Sequence, residues 1–526
     1  MTISQYSLAA AGALAVYVAY VVFRPRRNLC DIPGPPSPSW LFGNMLQLLT
    51  TPIYGEYEFK WLRKYGSVYR VKGCFGEDRL MISDPAALQV ILNGRQYYTM
   101  APGFENSVQL IYDPGSAILC KEEEHKRLRG ALNNGFTATA VRTYLPIFTR
   151  VADMLTEQFD AMAGQPAANL LPSLGRATLS AVTEAVLGLS LEDLGDEFIS
   201  TNFLMVGMAS TSSPSAVLGD AIMALMPNAI RNLARHLPIK PLKSLDKARF
   251  LAHKIGRSVI RDIRHARIEG LDGVGAFYDE LDNKWIPSFA VDGTLSEHEL
   301  LAQTSLLLLA GQDTTGNTMG FAFLELARNI DFQDQLRTEI HSSLGAGGDT
   351  TVYENMPLLN AFIKETLRMY PSVSLSDRVA VQDHMLPLSQ PITTSHGTQI
   401  TEIPIMKGQV VYLATGQYQR SNLRWGEDAH EFKPSRWMHE GPPHKVQDGV
   451  GGYANLLTFH GGSHVCLGWR FALLEMQVFI SELVGKFEFS LPADDRSRTV
   501  CRYALTLQPA LPNGKKGALV SLKRVV

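Results

Sequence analysis

The run Phe459-His460-Gly461-Gly462-Ser463-His464-Val465-Cys466-Leu467-Gly468 sets one thiol in a glycine-rich loop that leads into an apolar, helical stretch. Gly461, Gly462 and Gly468 let the backbone fold close to a planar ligand. The amides beyond Cys466 and the N-terminus of the following helix favour negative charge on sulfur, which keeps a lone cysteine ionised. A thiolate so held can bind a metal that keeps one side open. Two other chemistries use the same residues. His460, His464 and Cys466 are zinc-type ligands, although no second cysteine lies near. Cys466 could equally be a buried, inert side chain.

A second chemical signal interrupts an apolar helix. Leu306 to Ala310 is followed by Gly311-Gln312-Asp313-Thr314-Thr315, where a core helix gains nothing from an aspartate. Gly311 leaves room for a bulky ligand, and Thr314 can bond a carbonyl one turn back, bending the helix and opening a polar notch. Asp313 and Thr314 could then relay protons; the plainer alternative is a simple kink. Glu365 and Arg368, three apart, share a helix face. Arg436, in Phe432-Lys433-Pro434-Ser435-Arg436-Trp437, could add a second guanidinium to the same carboxylate if the segments meet.

The loop resembles the haem-binding segment of the cytochrome P450 family, Phe-x-x-Gly-x-(Arg or His)-x-Cys-x-Gly, and Gly311 to Thr315 resembles its oxygen-activation motif. The motifs fall in the family's order and span nearly the whole chain. The resemblance implies a mainly α fold with minor β-sheets, haem (iron protoporphyrin IX) as cofactor, and Cys466 as its thiolate ligand within a loop framed by Phe459, Gly462, His464 and Gly468. It implies Thr314 as the hydroxyl steadying bound dioxygen, Asp313 as proton source, and Glu365, Arg368 and Arg436 as a structural triad behind the loop. His125, Arg129, Arg378 and His464 stand where members hold the haem propionates. His125 replaces a common Trp and His464 a common Arg, so contact there would depend on pH as imidazole titrates.

The implied activity is insertion of one atom of dioxygen into an organic substrate, with electrons from a separate, membrane-bound NADPH-dependent reductase, since no dinucleotide-binding fingerprint or flavin module is evident. Lys126 and Arg127 are candidate contacts for an acidic partner. Two other readings share the haem. A reductase-independent isomerase or dehydratase would often lack the Asp313-Thr314 pair, and a non-catalytic haem binder would show no turnover even with reductase.

The elements that must position these groups come from a chain of 526 residues with 45% apolar and 19% charged side chains, a globular composition whose net charge of -2 gives no general affinity for nucleic acid. Cys30, Cys74, Cys120, Cys466 and Cys501 are scattered and odd in number, which argues for a reducing compartment with most of them as core fillers. Tyr6 to Phe23 is an uncharged, mostly apolar run followed by Arg24, Arg26 and Arg27. That pattern predicts a single-pass anchor over residues 1–30, in the endoplasmic reticulum membrane, with a catalytic domain over residues 31–526 facing the cytosol. A cleaved signal peptide is the alternative, though the basic n-region is missing. Pro33 to Pro38 is a stiff spacer.

Strands are expected at Ser67–Val71 and Arg79–Ile82 around a hairpin turn, then a helix from Pro85, and long helices over Ala140–Met162, Leu245–Ile268 and Glu297–Asn329. Ser296 and Glu299 form a capping box for the last. Strand-like sequence returns over Gln399–Leu413 and Tyr503–Leu522. Phe203 to Leu242, with Met205, Met208, Met223 and Met226, suggests a pliable apolar lid, with core packing an equal explanation of the methionines; together with the anchor it points to a lipophilic substrate such as a terpenoid or other secondary metabolite.

Overall fold

A computed structural model describes residues 29–209, 212–234, 240–268, 295–345, 350–438, 449–494 and 498–525. The Tyr6–Phe23 run lies outside them, as does part of the 203–242 segment; no helix among the described residues is long and apolar enough to cross a membrane.

The chain opens on the expected hairpin. Strands β1 (Val68–Lys72) and β2 (Asp78–Ile82) pair antiparallel from Val68↔Ile82 to Lys72↔Asp78. Their tight turn puts Phe75 at φ 60°. Helix α1 (Pro85–Asn93) starts on Asp84, whose side chain accepts from the Ala87 N–H while Pro85 fills the first helical position, where its missing N–H costs nothing. Strand β3 (Tyr98–Met100) follows, then α2 (Glu122–Asn133) and α3 (Leu145–Met162). The helix expected from Ala140 is broken before Leu145 by Tyr144 and Pro146, leaving a separate short helix over Ala138–Thr143. Strand β4 (Ala168–Asn169) precedes α4 (Leu171–Leu187), α5 (Asp196–Ala209), α6 (Pro214–Leu225) and α7 (Lys240–Ile268).

Helix α8 (Glu297–Arg328) is the spine of the molecule. Its capping box is formed as the sequence predicts, Ser296 N–H donating to Glu299 Oε2 at 2.8 Å and Glu299 N–H to Ser296 Oγ at 3.3 Å. Three glycines let α4 lie close along it. A Cβ on Gly320 would stand 2.5 Å from Leu171 Cδ2, one on Gly316 3.6 Å from the Gly175 Cα, and one on Gly311 2.9 Å from Val182 Cγ2. The space at Gly311 is therefore filled by Val182, a helix-packing role rather than the ligand approach expected from sequence.

Helix α9 (Pro357–Met369) then leads into strands β5 (Ser376–Ala380), β6 (His384–Thr393), β7 (Gln399–Ile405) and β8 (Val410–Leu413). A five-stranded sheet runs β1-β2-β8-β5-β3, with β2 and β8 parallel and the rest antiparallel, while β6 and β7 form a separate ribbon. Helix α10 (Trp469–Lys486) follows the cysteine loop. Strand β9 (Phe487–Ser490), the hairpin of β10 (Val500–Tyr503) with β11 (Leu507–Ala510), and β12 (Leu519–Arg524) end the chain, β12 lying between β4 and β9. The architecture is mainly α with minor sheets, as expected. One large core joins Phe148, Phe159, Phe323, Phe362, Phe479 and Phe489 beneath the helices, and a smaller one fills the space between α1 and the sheets.

Candidate haem-thiolate site

The cysteine loop is built by its own backbone. Cys466 N–H donates to the Phe459 carbonyl at 2.7 Å, and Phe459 is buried with its ring 6.0 Å from Tyr453. Gly462 has φ 64°, and a Cβ there would stand 2.3 Å from the Leu92 carbonyl at the end of α1; one on Gly461 would stand 2.4 Å from the Val450 carbonyl. Gly461 and Gly462 thus answer to close contacts with the protein's own backbone, while a Cβ on Gly468 would meet only the Phe136 ring at 3.8 Å. Gly468 is the N-cap of α10.

Cys466 is exposed amid buried Phe459 and Gly461, yet enough protein surrounds its sulfur that desolvation raises the thiol pKa, opposed by the Gly468 amide and by Arg129. A sulfur both accessible and desolvated faces a recess. Arg129 in turn acts on a pair of imidazoles. The His125 and His464 rings lie 4.3 Å apart. Burial lowers the pKa of His125, and Arg95 and Arg129 lower it further; burial first, then His125 and the nearby guanidiniums, brings His464 down to about 4. Both are neutral at pH 7, so the charge expected of His464 falls to Arg129 and Arg378. Arg378, on β5, donates from Nη1 to the Asp377 carbonyl at 2.8 Å. Arg95, which lies against His125 and His464, was not singled out from sequence; only proximity in space reveals it.

Among the described residues, no acidic side chain pairs with Arg95, His125, Arg129 or His464, and no group of three His, Cys, Asp or Glu could hold a metal, so the zinc arrangement of His460, His464 and Cys466 is not formed. Arg95, Arg129 and the two imidazoles, without acidic partners among the described residues, beside one desolvated thiol, fit a flat ligand that brings one metal and two carboxylates.

Behind the loop, the triad is assembled. Arg368, with no exposed surface, donates to Glu365 through Nε and Nη2, both at 2.8 Å, and to the carbonyls of Gln419 (3.0 Å), Ala429 (2.7 Å) and Glu431 (2.9 Å). Arg436 Nε reaches Glu365 Oε1 at 3.2 Å, while its Nη1 bonds Asp428 Oδ1 at 2.7 Å, which holds the Asp428 carboxyl far below its ordinary range. Trp437 Nε1 and the Lys433 N–H complete the carboxylate shell at 2.9 and 2.7 Å. Thr458 Oγ1 ties the cysteine loop to α9 through the Leu367 carbonyl at 2.6 Å.

On α8, Leu309, Ala310, Gly311, Asp313 and Thr314 are only partly buried, whereas Leu300 to Leu308 and Thr315 to Ala327 are buried throughout. Thr314 Oγ1 donates to the Ala310 carbonyl at 3.0 Å, the one-turn-back bond expected. Its own carbonyl accepts from Thr318 Oγ1 at 2.9 Å and Ser372 Oγ at 3.1 Å. Asp313 is not free. It pairs with Lys516 and accepts from Asn317 Nδ2 at 3.0 Å and Thr506 Oγ1 at 3.1 Å. Of the surface cations suggested for a partner, Arg127 is committed to Glu299 and Lys126 lies 3.6 Å from Glu123. Cys74 and Cys120 are buried fillers, but Cys30 is exposed.

Comparison with known proteins agrees with this architecture. The family model for cytochrome P450 matches residues 33–513. The chain is 31% identical to cytochrome P450 monooxygenase 91 of Postia placenta, over 89% of each chain. It is 31% identical to monooxygenase 212 of the same fungus, over 90% of this chain and 88% of the relative. Cytochrome P450 monooxygenase claU of Ampulloclitocybe clavipes is 28% identical over 95% and 93%. With its helical fold, its thiol recess and its buried Glu-Arg-Arg cluster, this chain belongs to the cytochrome P450 family of haem-dependent monooxygenases.

Proposed function

We propose that Cys466 is the thiolate ligand of the haem, that Phe459, Gly462, His464 and Gly468 frame it, and that His125, Arg129, Arg378 and His464 receive the propionates. When bound, the haem supplies the redox chemistry by which one atom of dioxygen enters the substrate and the other leaves as water. The observation carrying the reading is the Cys466 sulfur, accessible yet desolvated, opposed only by the Gly468 amide and the Arg129 charge. Those two contacts favour the ionised sulfur that metal binding requires. Arg129 and Arg378 provide permanent charge, whereas the neutral imidazoles of His125 and His464 contribute N–H donors.

Asp313 and Thr314 act on the opposite face. Thr314, whose hydroxyl donates to the Ala310 carbonyl at the partly buried stretch of α8, is the hydroxyl that steadies dioxygen, and Asp313 is the proton source. The substrate is lipophilic. Phe198, Met205, Leu308 and Leu309, together with Asn202 and Arg249, line a small cavity of mixed polarity between α5, α7 and α8. A terpenoid or other secondary metabolite would fit, delivered from an endoplasmic reticulum membrane to which the Tyr6–Phe23 run anchors a cytosol-facing domain, with a membrane-bound NADPH-dependent P450 reductase as electron donor.

The test is the absorption spectrum of the purified, reduced protein under carbon monoxide beside a Cys466→Ser control. A strongly red-shifted Soret band lost in the control is expected. An imidazole-like spectrum that ignores the substitution would remove Cys466 from the site.

A further inference from the structure

The function reading makes Asp313 a relay acid, but the structure gives it a partner that the reading does not use. Every contact the carboxylate accepts is from a donor: the Lys516 ammonium at Oδ1, and Asn317 Nδ2 and Thr506 Oγ1 at Oδ2. Asn317 Nδ2 also lies 3.4 Å from Thr506 Oγ1, so the three polar groups form a closed row between α8 and the β10–β11 hairpin. Both carboxylate oxygens are thereby held in place by neighbouring donors. Thr314, next in sequence, makes none of these contacts; its hydroxyl is spent on Ala310.

The ammonium is delivered to this point by backbone geometry. Leu511 N–H donates to the Lys515 carbonyl at 2.8 Å, Gly517 N–H to the Pro509 carbonyl at 3.0 Å, and Ala510 bridges Lys516. Gly514 closes the turn at φ 80°, a conformation that favours glycine. Ala518 N–H is held by Asn169 Oδ1 at 3.0 Å. Lys516 is thus fixed on both sides, and both members of the pair keep some exposed surface, 26% for Lys516 and 17% for Asp313. On another side, Tyr112 registers the same charge: burial and then Asp313 push its hydroxyl up to about 12.

We propose that Lys516 is a positioning residue for Asp313, and that the turn after the C-terminal hairpin is thereby part of the proton-handling machinery on the α8 side of the haem. Lys516 holds the carboxylate in the row with Asn317 and Thr506, beside the partly buried stretch of α8. Protons pass from water through Asp313 only while the carboxylate is kept there. The proposal rests on the relay reading of Asp313.

The experiment needs no substrate. With reductase and NADPH alone, dioxygen takes two electrons and two protons to give hydrogen peroxide, or four of each to give two waters. The second route demands the further protons that the relay supplies. NADPH consumed per dioxygen therefore reads proton delivery, from one for peroxide to two for water. The full-length haem-loaded protein is compared with Lys516→Met, Lys516→Gln, Lys516→Arg, Asp313→Asn and the Lys516→Met/Asp313→Asn double variant. The infrared stretch of carbon monoxide bound to the reduced protein gives a second readout, of local charge rather than turnover.

The expected pattern is a severalfold rise in peroxide share for Lys516→Met, Lys516→Gln and Asp313→Asn, restoration by Lys516→Arg, and no further rise in the double variant. The carbon monoxide band should follow the same order at wild-type haem content and thermal midpoint. Wild-type values for Lys516→Met alongside a changed Asp313→Asn would overturn the positioning role and leave the relay standing. Additive effects in the double variant would overturn it as well. Wild-type values for both single variants would overturn the relay reading itself.

Discussion

Replacing Glu365 by glutamine is the smallest change that should detach the cysteine loop from its support. The two carboxylate oxygens accept five donors: Arg368 Nη2, the Lys433 N–H and Arg436 Nε on one, Arg368 Nε and Trp437 Nε1 on the other. An amide offers one acceptor oxygen and one NH2, so either orientation turns at least two contacts into donor facing donor. The substitution also strips the counter-charge from Arg368, which has no exposed surface. Removing one partner of a buried pair costs about 3–5 kcal/mol, because the remaining charge stays desolvated. Against a total stability of roughly 5–15 kcal/mol, Glu365→Gln should leave a chain that folds marginally. The urea midpoint and haem bound per polypeptide are the measurements, with Arg368→Lys as companion: three ammonium donors cannot replace the five contacts Arg368 makes to Glu365, Gln419, Ala429 and Glu431. Equal urea midpoints and full haem content in Glu365→Gln would refute the argument that this network carries the loop.

Glu475, on α10, is fully buried, and neither side-chain oxygen has a hydrogen-bond partner among the described residues. Burial raises its pKa well above the ordinary value. The unfolded chain releases that proton near pH 4.3 and the folded chain does not, so stability is complete below that pH and falls by about 1.4 kcal/mol per unit as pH rises toward the folded value. Glu475→Gln should remove that slope, so its stability relative to wild type should improve as pH rises from 5 to 7, as read by denaturant titration at both; an unchanged difference would mean the carboxyl is ionised in the fold. Gly311→Ala sets a methyl 2.9 Å from Val182 Cγ2 and should cost about 1–3 kcal/mol through overpacking, recovered by adding Val182→Ala. A loss of ligand binding without loss of stability would restore the ligand-approach role for this glycine.

What could be seen from the sequence was local. The Ser296-Glu299 capping box, the β1–β2 hairpin, the Glu365-Arg368 pair and the Cys466 loop each lie within a few residues, where spacing determines which groups meet. Lys516 lies 203 residues from Asp313, and Trp437 lies 72 from Glu365. No periodicity links such partners; topology alone joins them. The glycines show a subtler limit. Their presence at Gly311, Gly461 and Gly462 was readable as a need for space, but what occupies that space is Val182, the Val450 carbonyl and the Leu92 carbonyl. Similarly, His125 and His464 were legible as possible cations, while their neutrality comes from burial and from guanidiniums distant in sequence.

The guanidinium of Arg368 has a kinetic consequence. Its bonds to the carbonyls of Gln419, Ala429 and Glu431 close chain segments of 51, 61 and 63 residues at one atom cluster. Such closures grow only slowly in entropic cost with length, and because they meet at one guanidinium each one formed makes the next less costly, which favours joint assembly. Thr458 then fastens the cysteine segment to the same turn of α9. A nascent chain would therefore offer an ordered thiol only after residues 365–437 have come together, so that haem capture becomes a checkpoint on completed folding rather than an event that initiates it.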